Sequence, residues 1–294
     1  MPRGEEPRAQ TIDMHTPSAA RMYDWLLGGV DNYLSDQAAC RRLLDIAPSS
    51  QLLARNNREF LQRVVRFIAA ERKIDQFLDH GSGLPTQDNV HQIAQRINPD
   101  SRVVYVDNDP IVLAHGRTRL HQNDNTKILQ ADMRDTEEIL NSVNGFLDLE
   151  RPVAALFVSV LHCLPDTDDG RSPADIVSKV AAALKPGSIL VICQLVSEDP
   201  QVRQGVTDLM AEVTHNQWGR VRERAEVRTY FDRLQIIKPD LGDVVDWRPT
   251  APPPPSHMRP TDWVEWGGVA EVTETTHRAE SPLTTERSSR RAPS

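Results

Sequence analysis

Cysteine is scarce in this chain: Cys40, Cys163 and Cys193 are the three in 294 residues. None stands in a C-x-x-C pair and no Cys/His set has zinc-ligand spacing, which excludes a zinc finger and a disulfide framework. An odd, sparse count suits a reducing compartment, so a cytoplasmic protein is expected. Long apolar runs are missing as well. None approaches the roughly 20 residues that span a bilayer, and no membrane association is expected. The opening MPRGEEPRAQ carries both charge signs and no apolar core, unlike a secretory signal. Positive charge is in deficit: 34 Lys and Arg stand against 42 Asp and Glu, a net charge of −8. A sequence-independent grip on phosphates needs the opposite field, so nucleic acid is not an expected partner. Aromatic residues make up only 5% of the chain and offer no base-stacking platform. The one Arg-dense stretch, Arg220 to Arg233, is interleaved with Glu223, Glu226 and Asp232 and reads as a solvated helix face.

What is present falls into two regions between polar tails. Residues 1–15 lack apolar periodicity, and 271–294 are rich in Thr, Glu, Arg, Ser and Pro, so both read as disordered. Residues 16–72 read as a helical N-terminal cap. Ala19, Met22, Tyr23, Leu26 and Leu27 recur at helical spacing until Gly28-Gly29 stops them. A second helix is expected from near Asp36 to Pro48, with Asp31 as a possible cap, and a third from Leu52 to Ala70. From residue 73 to 270 short apolar runs alternate with helices. The runs are Ile74–Leu78, Val103–Val106, Lys127–Gln130, Val153–Val160 and Ile189–Leu195; Thr86–Ile97, Pro110–Leu120 and Pro173–Leu184 are the intervening helices. Such alternation predicts an α/β fold, a doubly wound, mostly parallel sheet covered on both faces. Gln235–Lys238 and Val264–Ala270 are candidates for a terminal pair of strands.

The chemistry gathers where strands end. The first expected strand runs into Asp79-His80-Gly81-Ser82-Gly83-Leu84-Pro85-Thr86, where glycine lets a backbone turn sharply and approach a ligand. The second ends in Asp107, an acid able to accept from two ribose hydroxyls, and Asp109-Pro110 opens the next helix. A dinucleotide and S-adenosylmethionine (SAM) both fit this much, and so does a turn whose glycines serve packing. A dinucleotide favours Gly or Ala where Thr86 stands, and Pro85 removes a backbone donor that a pyrophosphate would use. SAM has no phosphate and carries an ammonium that Asp79 can serve. The third strand ends in Asp132-Met133, which can hold an adenine, unless Asp132 or Asp135 simply caps the next helix. The fourth ends in Ser159-Val160-Leu161-His162-Cys163-Leu164-Pro165-Asp166. His162 there is a candidate base or orienting group, or else a structural histidine. Asp166-Thr167-Asp168-Asp169-Gly170 lacks the alternating acids of a calcium loop, so no metal is expected.

Taken together, Arg21–Tyr33, Asn56–Leu61, Gln76–Thr86, Val104–His115 and Leu161–Asp166 resemble a family of SAM-dependent methyltransferases widespread in actinobacteria. The resemblance runs from about Thr16 to Ala270. It implies a Rossmann-like class I methyltransferase with an antiparallel terminal strand. It further implies SAM contacts at Asp79, Gly81, Ser82, Gly83, Asp107, Asn108, Asp132, Met133 and Ser159. The segment containing Tyr23, Gly28, Gly29, Asn32 and Tyr33 would fold over the cofactor, while Tyr23, His162 and Asp166 would position a methyl acceptor. The family often has Ile and Thr where His80 and Ser82 stand, which puts a bulky titratable ring beside the expected cofactor loop. The acceptor expected is a small molecule. A non-catalytic SAM-binding regulator and an NAD(P)-dependent oxidoreductase are the competing readings.

Overall fold

Five apolar runs pair as parallel strands, buried on both faces and joined by crossover segments. In the computed structural model, which describes residues 13–85, 88–119 and 123–277, they are β1 (Gln76–His80), β2 (Arg102–Asp107), β3 (Thr126–Gln130), β4 (Ala154–Val158) and β5 (Ile189–Val196). Two short strands, β6 (Gln235–Ile236) and β7 (Gly242–Asp243), and the long β8 (Val264–Glu271) complete an eight-stranded sheet. Its order is β3-β2-β1-β4-β5-β8-β6, with β7 also on β8. β8 runs antiparallel to β5 from Val264 opposite Val196 to Glu271 opposite Ile189.

Helices α1 (Ala19–Leu26), α2 (Leu34–Ile46) and α3 (Ser50–Phe67) precede the sheet, and α4 (Val90–Ile97), α5 (Pro110–Arg119), α6 (Thr136–Val143) and α7 (Pro173–Ala183) cross between its strands. One face packs Ile139, Val143, Ile176 and Val180 on Leu78, Phe157 and Ile192. The other packs Phe60, Val64 and Ile93 on Phe77, Leu156 and Val191. A third core belongs to the cap. There Met22, Leu26 and Leu43 meet Val206 and Met210 of α8 (Pro200–Val213), together with Trp218 and Trp263. Two short helices, α9 (Arg224–Arg228) and α10 (Glu274–His277), close the described chain. No helix among the described residues is long and apolar enough to cross a membrane.

The cap is fixed by a buried ion pair. Arg21 Nε lies 3.0 Å from the Asp36 carboxylate, with both side chains almost wholly buried. Asp36 also accepts from the backbone N–H groups of Ser18 (3.0 Å) and Tyr33 (2.8 Å), so one carboxylate ties the start of α1 to the start of α2.

Several expectations are corrected. Asp36 rather than Asp31 caps the second helix, since Tyr33 is its N-cap and Asp31 N instead donates to Asp24 at 2.9 Å. Glu271 belongs to β8 and residues 274–277 are helical, so order extends past 270. The tail readings over 1–12 and 278–294, and the reading of Thr86, lie outside the described residues. The long helix α8 and strand β7 went unforeseen. The Arg-dense stretch is a solvated helix face only in part: Arg224 and Arg228 of α9 are exposed, but Arg222 is 1% exposed. Its guanidinium donates to the carbonyls of Leu161 (3.2 Å) and Leu164 (2.9 Å) and pairs with Asp166 at 2.7 Å, which pins the loop after β4.

Removing Asp36 would leave the Arg21 charge buried and two backbone donors unpaired. Asp36→Ala should lower unfolding stability by roughly 3–5 kcal/mol. Urea denaturation measures this, and a loss under about 1 kcal/mol would mean that the pair does not hold the cap.

Candidate functional site

Strand order reverses between β1 and β4, and loops leaving neighbouring strands in opposite directions open a crevice at their carboxyl ends. A cavity of about 670 Å³ occupies this place. Its walls are the segments that follow β1, β2, β3 and β4, the end of β5, and side chains of α1, α3 and α8. Among the sequence candidates, Tyr23, Asp79, Gly81, Ser82, Gly83, Asp107, Asn108, Asp132, Met133, Ser159 and His162 line it. Gly28, Gly29, Asn32, Tyr33 and Asp166 stand outside the lining.

The β1–β3 side is built around carboxylates. Gly81 and Gly83 both adopt left-handed φ, +67° and +66°. A Cβ on Gly81 would sit 2.1 Å from Val160 Cγ2, so packing alone demands that glycine; a Cβ on Gly83 would meet nothing within 4 Å. Asp107 accepts from Gly83 N (2.8 Å) and Asp109 N (2.9 Å), one bond to each carboxylate oxygen. Each oxygen therefore keeps capacity for a further donor. Burial nevertheless pushes the Asp107 carboxyl up to about 6, against the lowering effect of those bonds. Burial pushes Asp79 further, to about 7; the Arg58 charge opposes the shift and the Asp107 charge adds to it. Asp132 is differently placed. Arg134 grips both of its oxygens, at 3.0 and 2.5 Å, and holds its pKa below the ordinary carboxylate range despite partial burial. Neither Asp132 nor Asp135 caps α6 through its side chain.

The β4–β5 side has another character. Ser159 takes a left-handed φ of +57°, a strained conformation for a non-glycine residue that cavity-edge positions often hold. Its hydroxyl donates to the buried Glu265 of β8. Burial pushes Glu265 up to about 8, and its second oxygen has no partner among the described residues. Cys193 lies between Glu265 and Asn57, with Sγ 3.4 Å from Asn57 Oδ1. Asn57 in turn donates to the Tyr23 hydroxyl at 2.8 Å, and Tyr23 donates to the Ala54 carbonyl at 3.1 Å. Hydrogen bonds thus run from Cys193 through Asn57 to Tyr23, beside the pair of Ser159 and Glu265.

Both histidines of interest are neutral. His80 stands outside the cavity lining and stacks on Phe157 at 4.3 Å, and burial pushes it down to about 4. Its size therefore does not intrude on the cavity. His162 lines the cavity, yet burial and the nearby Arg222 charge push it down to about 3, which disqualifies it as a base near neutrality. Its Nδ1 accepts from Leu195 N at 3.4 Å, so the second nitrogen carries the proton and acts as a donor. Asp166 is committed to Arg222 (2.7 Å) and Arg220 (2.5 Å). Gly28 and Gly29 shape the chain after α1: Gly28 has φ +82°, and a Cβ on Gly29 would lie 2.0 Å from Asp24 Oδ1. Asp24 uses its other oxygen to hold Asn32 at 2.8 Å. Tyr33 packs with Leu84, Ile111 and Val112 below the glycine loop. Sequence reasoning missed Arg58, Met210, Trp218 and Trp263, all lining residues, and the buried Glu265. Only Arg58 had a local signal, in the Asn56-Asn57-Arg58 run.

The chain is similar to known proteins over most of its length. A family model described as S-adenosyl methyltransferase matches residues 5–273. A crystal structure from Thermobifida fusca, described as that of a candidate methyltransferase, is 37% identical. It superposes with a TM-score of 0.80 over 89% of this chain and 97% of that one. A DUF574 family protein from Streptomyces avermitilis is 34% identical, with a TM-score of 0.79 over 89% of this chain and 99% of its own. No curated protein matches.

The raised Asp79 pKa makes a signed stability prediction. A carboxyl raised from 3.8 to about 7 favours the folded state at low pH, and that contribution is lost as pH rises through about 7. Asp79→Asn should match the parent near about pH 4 and exceed it by roughly 2–4 kcal/mol near about pH 8. Urea midpoints across that range provide the test. A variant no more stable than the parent at the upper end would show that Asp79 is not desolvated.

Proposed function

We propose, from the premise that this chain belongs to the S-adenosyl methyltransferase family, that it transfers a methyl group from SAM to a small-molecule acceptor held beside Ser159 and His162. The observation that carries this reading is the pair Asp79 and Asp107. Two desolvated carboxylates at adjacent strand ends fit a ligand bearing positive charge and hydroxyls, as SAM does. They repel a pyrophosphate, so the same lining suits a dinucleotide poorly. SAM, when bound, supplies a methyl group made electrophilic by a sulfonium.

The chain's own residues would then divide the work. Asp107 offers its two remaining acceptor positions to the ribose, with Asn108 beside it. Asp79 offers a carboxylate to the ammonium, and Arg58, on the same side, offers a cation to the ligand's carboxylate. Gly83 leaves open space at the loop, Ser82 and Gly81 shape the turn, and Met133 gives an apolar surface for the adenine. Asp132, already paired with Arg134, is the weakest of these assignments on geometry. Residues 16–72 act as the cover and 73–270 as the cofactor-binding body. A cover that excludes water and aligns donor with acceptor is most of what in-line methyl displacement asks of a protein. Where the acceptor must lose a proton, Ser159 can take it while passing its own to Glu265, which sits near neutrality as His162 does not. The cavity volume falls in the range of about 300–1,000 Å³ typical of small-ligand sites.

Calorimetry with SAM, S-adenosylhomocysteine and NAD tests the assignment. SAM and S-adenosylhomocysteine should bind and NAD should not; the reverse pattern would sink the proposal. Asp107→Ala should weaken SAM about 100-fold, and unchanged affinity would refute the ribose role. A cation favours the ionised carboxylates, so SAM affinity should rise from about pH 5.5 to about pH 8 as Asp79 and Asp107 lose their protons.

A further inference from the structure

The carboxylates that line the cavity all stand on one side of it. Asp79 and Asp107 end β1 and β2, Asp109, Asp132 and Arg134 follow β2 and β3, and Arg58 of α3 stands at the border, its charge acting on Asp79 and on the Tyr23 phenol. Beyond Ser159 the lining, drawn from α1, α2, the loop after β4, β5, α8 and the segment after it, includes no Asp, Glu, Lys or Arg. Its titratable groups stay neutral across the ordinary pH range. Burial pushes the Tyr23 phenol up, pushes Cys163 up to about 12 and pushes His162 down to about 3. In a chain with 5% aromatic residues, Tyr23, Trp218 and Trp263 converge on this half. Leu26, Leu43 and Met210 complete its apolar surface. The polar groups that remain are neutral: Thr214, Asn216, Gln217 and the His162 ring. The two flanking ionic groups are occupied or masked. Arg222 is spent on Leu161, Leu164 and Asp166, and Glu265 stands behind Ser159 rather than on the lining.

We infer that the methyl acceptor is an uncharged, predominantly apolar, ring-bearing small molecule, seated against Trp218, Trp263 and Met210. This rests on the methyltransferase reading only for the word acceptor; the pouch itself is a feature of the fold. An ion moved into it would shed its hydration and meet no counter-charge, whereas a neutral ring system exchanges water for indole and thioether surface. Phosphorylated, carboxylate-bearing and cationic amine acceptors are thereby disfavoured, as are peptides and nucleic acids, whose backbones or charges would have to enter the same pouch.

The test uses three probes that share one ring system and differ in charge: 2-naphthol, 2-naphthoate and 2-naphthylmethylammonium. Each is titrated into the full chain saturated with S-adenosylhomocysteine, near about pH 7.5, with tryptophan fluorescence and calorimetry as readouts. 2-Naphthol should bind at least about tenfold more tightly than either ion. Met210→Glu, and as a milder rim change Gln217→Glu, should weaken 2-naphthol and favour 2-naphthylmethylammonium. Retained S-adenosylhomocysteine binding certifies the fold of each variant. The proposal is overturned if either ion binds the parent as well as 2-naphthol does. It is equally overturned if 2-naphthol fails to bind a parent that takes S-adenosylhomocysteine, or if neither folded variant shifts the preference. If 2-naphthol binds with the expected selectivity but neither SAM nor S-adenosylhomocysteine binds, the pouch stands and the cofactor reading falls instead.

Discussion

Two carboxylates, Asp79 and Asp107, end adjacent strands and are both buried at the edge of the crevice. Burial raises both pKa values, to about 7 and about 6, because a charge is less favourable in a poorly hydrated site. The N-terminal helices that border the same cavity are held by their own buried pair, Arg21 with Asp36, and by the packing of α1 and α2 on α8. The strand ends are held by backbone bonds, Gly81 N to Val106 O at 2.7 Å and Ala131 N to Asp107 O at 3.0 Å. Dehydration, anchoring and the open space at Gly83 together define what this edge can bind. A ligand with a positive centre and paired hydroxyls relieves the unfavourable burial, and one with a pyrophosphate aggravates it. The cofactor preference is therefore electrostatic before it is steric.

The same dehydration has the opposite use across the cavity. With no fixed charge on that wall, exclusion of water favours a neutral apolar guest and penalises an ionic one. The boundary between the halves falls at Ser159, on the β4 side of the switch point between β1 and β4. Its hydroxyl faces Glu265, the ionisable group closest to neutrality on that side. Charged lining, Ser159 and the uncharged lining thus follow one another across one crevice, with Glu265 behind Ser159. An in-line transfer needs that arrangement more than it needs a conventional catalytic set.

Much of the cofactor edge was legible in the sequence because its determinants are local. A strand, a glycine turn and an acid at the strand's end lie within a few residues of one another, and alternation of apolar runs with helices fixes the edge on which they gather. Asp79, Gly81, Gly83 and Asp107 could be placed this way. The reading failed where a partner is distant in the chain. Arg222 looked like one member of a solvated arginine cluster, yet it serves carbonyls about 60 residues earlier. His162 looked titratable because nothing local reveals its burial or the Arg222 charge beside it. Glu265 sits in a strand that reads as an ordinary apolar edge, and its role depends on Ser159 more than 100 residues away.

The acceptor wall was illegible for a further reason. Besides the loop after β4 and the end of β5, it is assembled from α1, α2, α8 and single residues at Trp218 and Trp263, which share the third hydrophobic core and not the two cores that flank the sheet. Nothing in the cofactor edge's hydrogen bonding dictates which side chains fill those positions, because no bond from Asp79, Asp107 or the glycine loop reaches them among the described residues. Substitutions in the cap core could therefore reshape the guest's pocket while leaving the carboxylate pair and its dehydration in place, provided that the Arg21–Asp36 anchor stays. One energetic requirement is common to both halves: the cap must remain seated. Tyr23 of α1 and Arg58 of α3 line the same cavity as Asp79 and Asp107, and α1 and α2 supply part of the pouch. Acceptor identity is thus separable from cofactor binding in side-chain chemistry but coupled to it through a single helical cover.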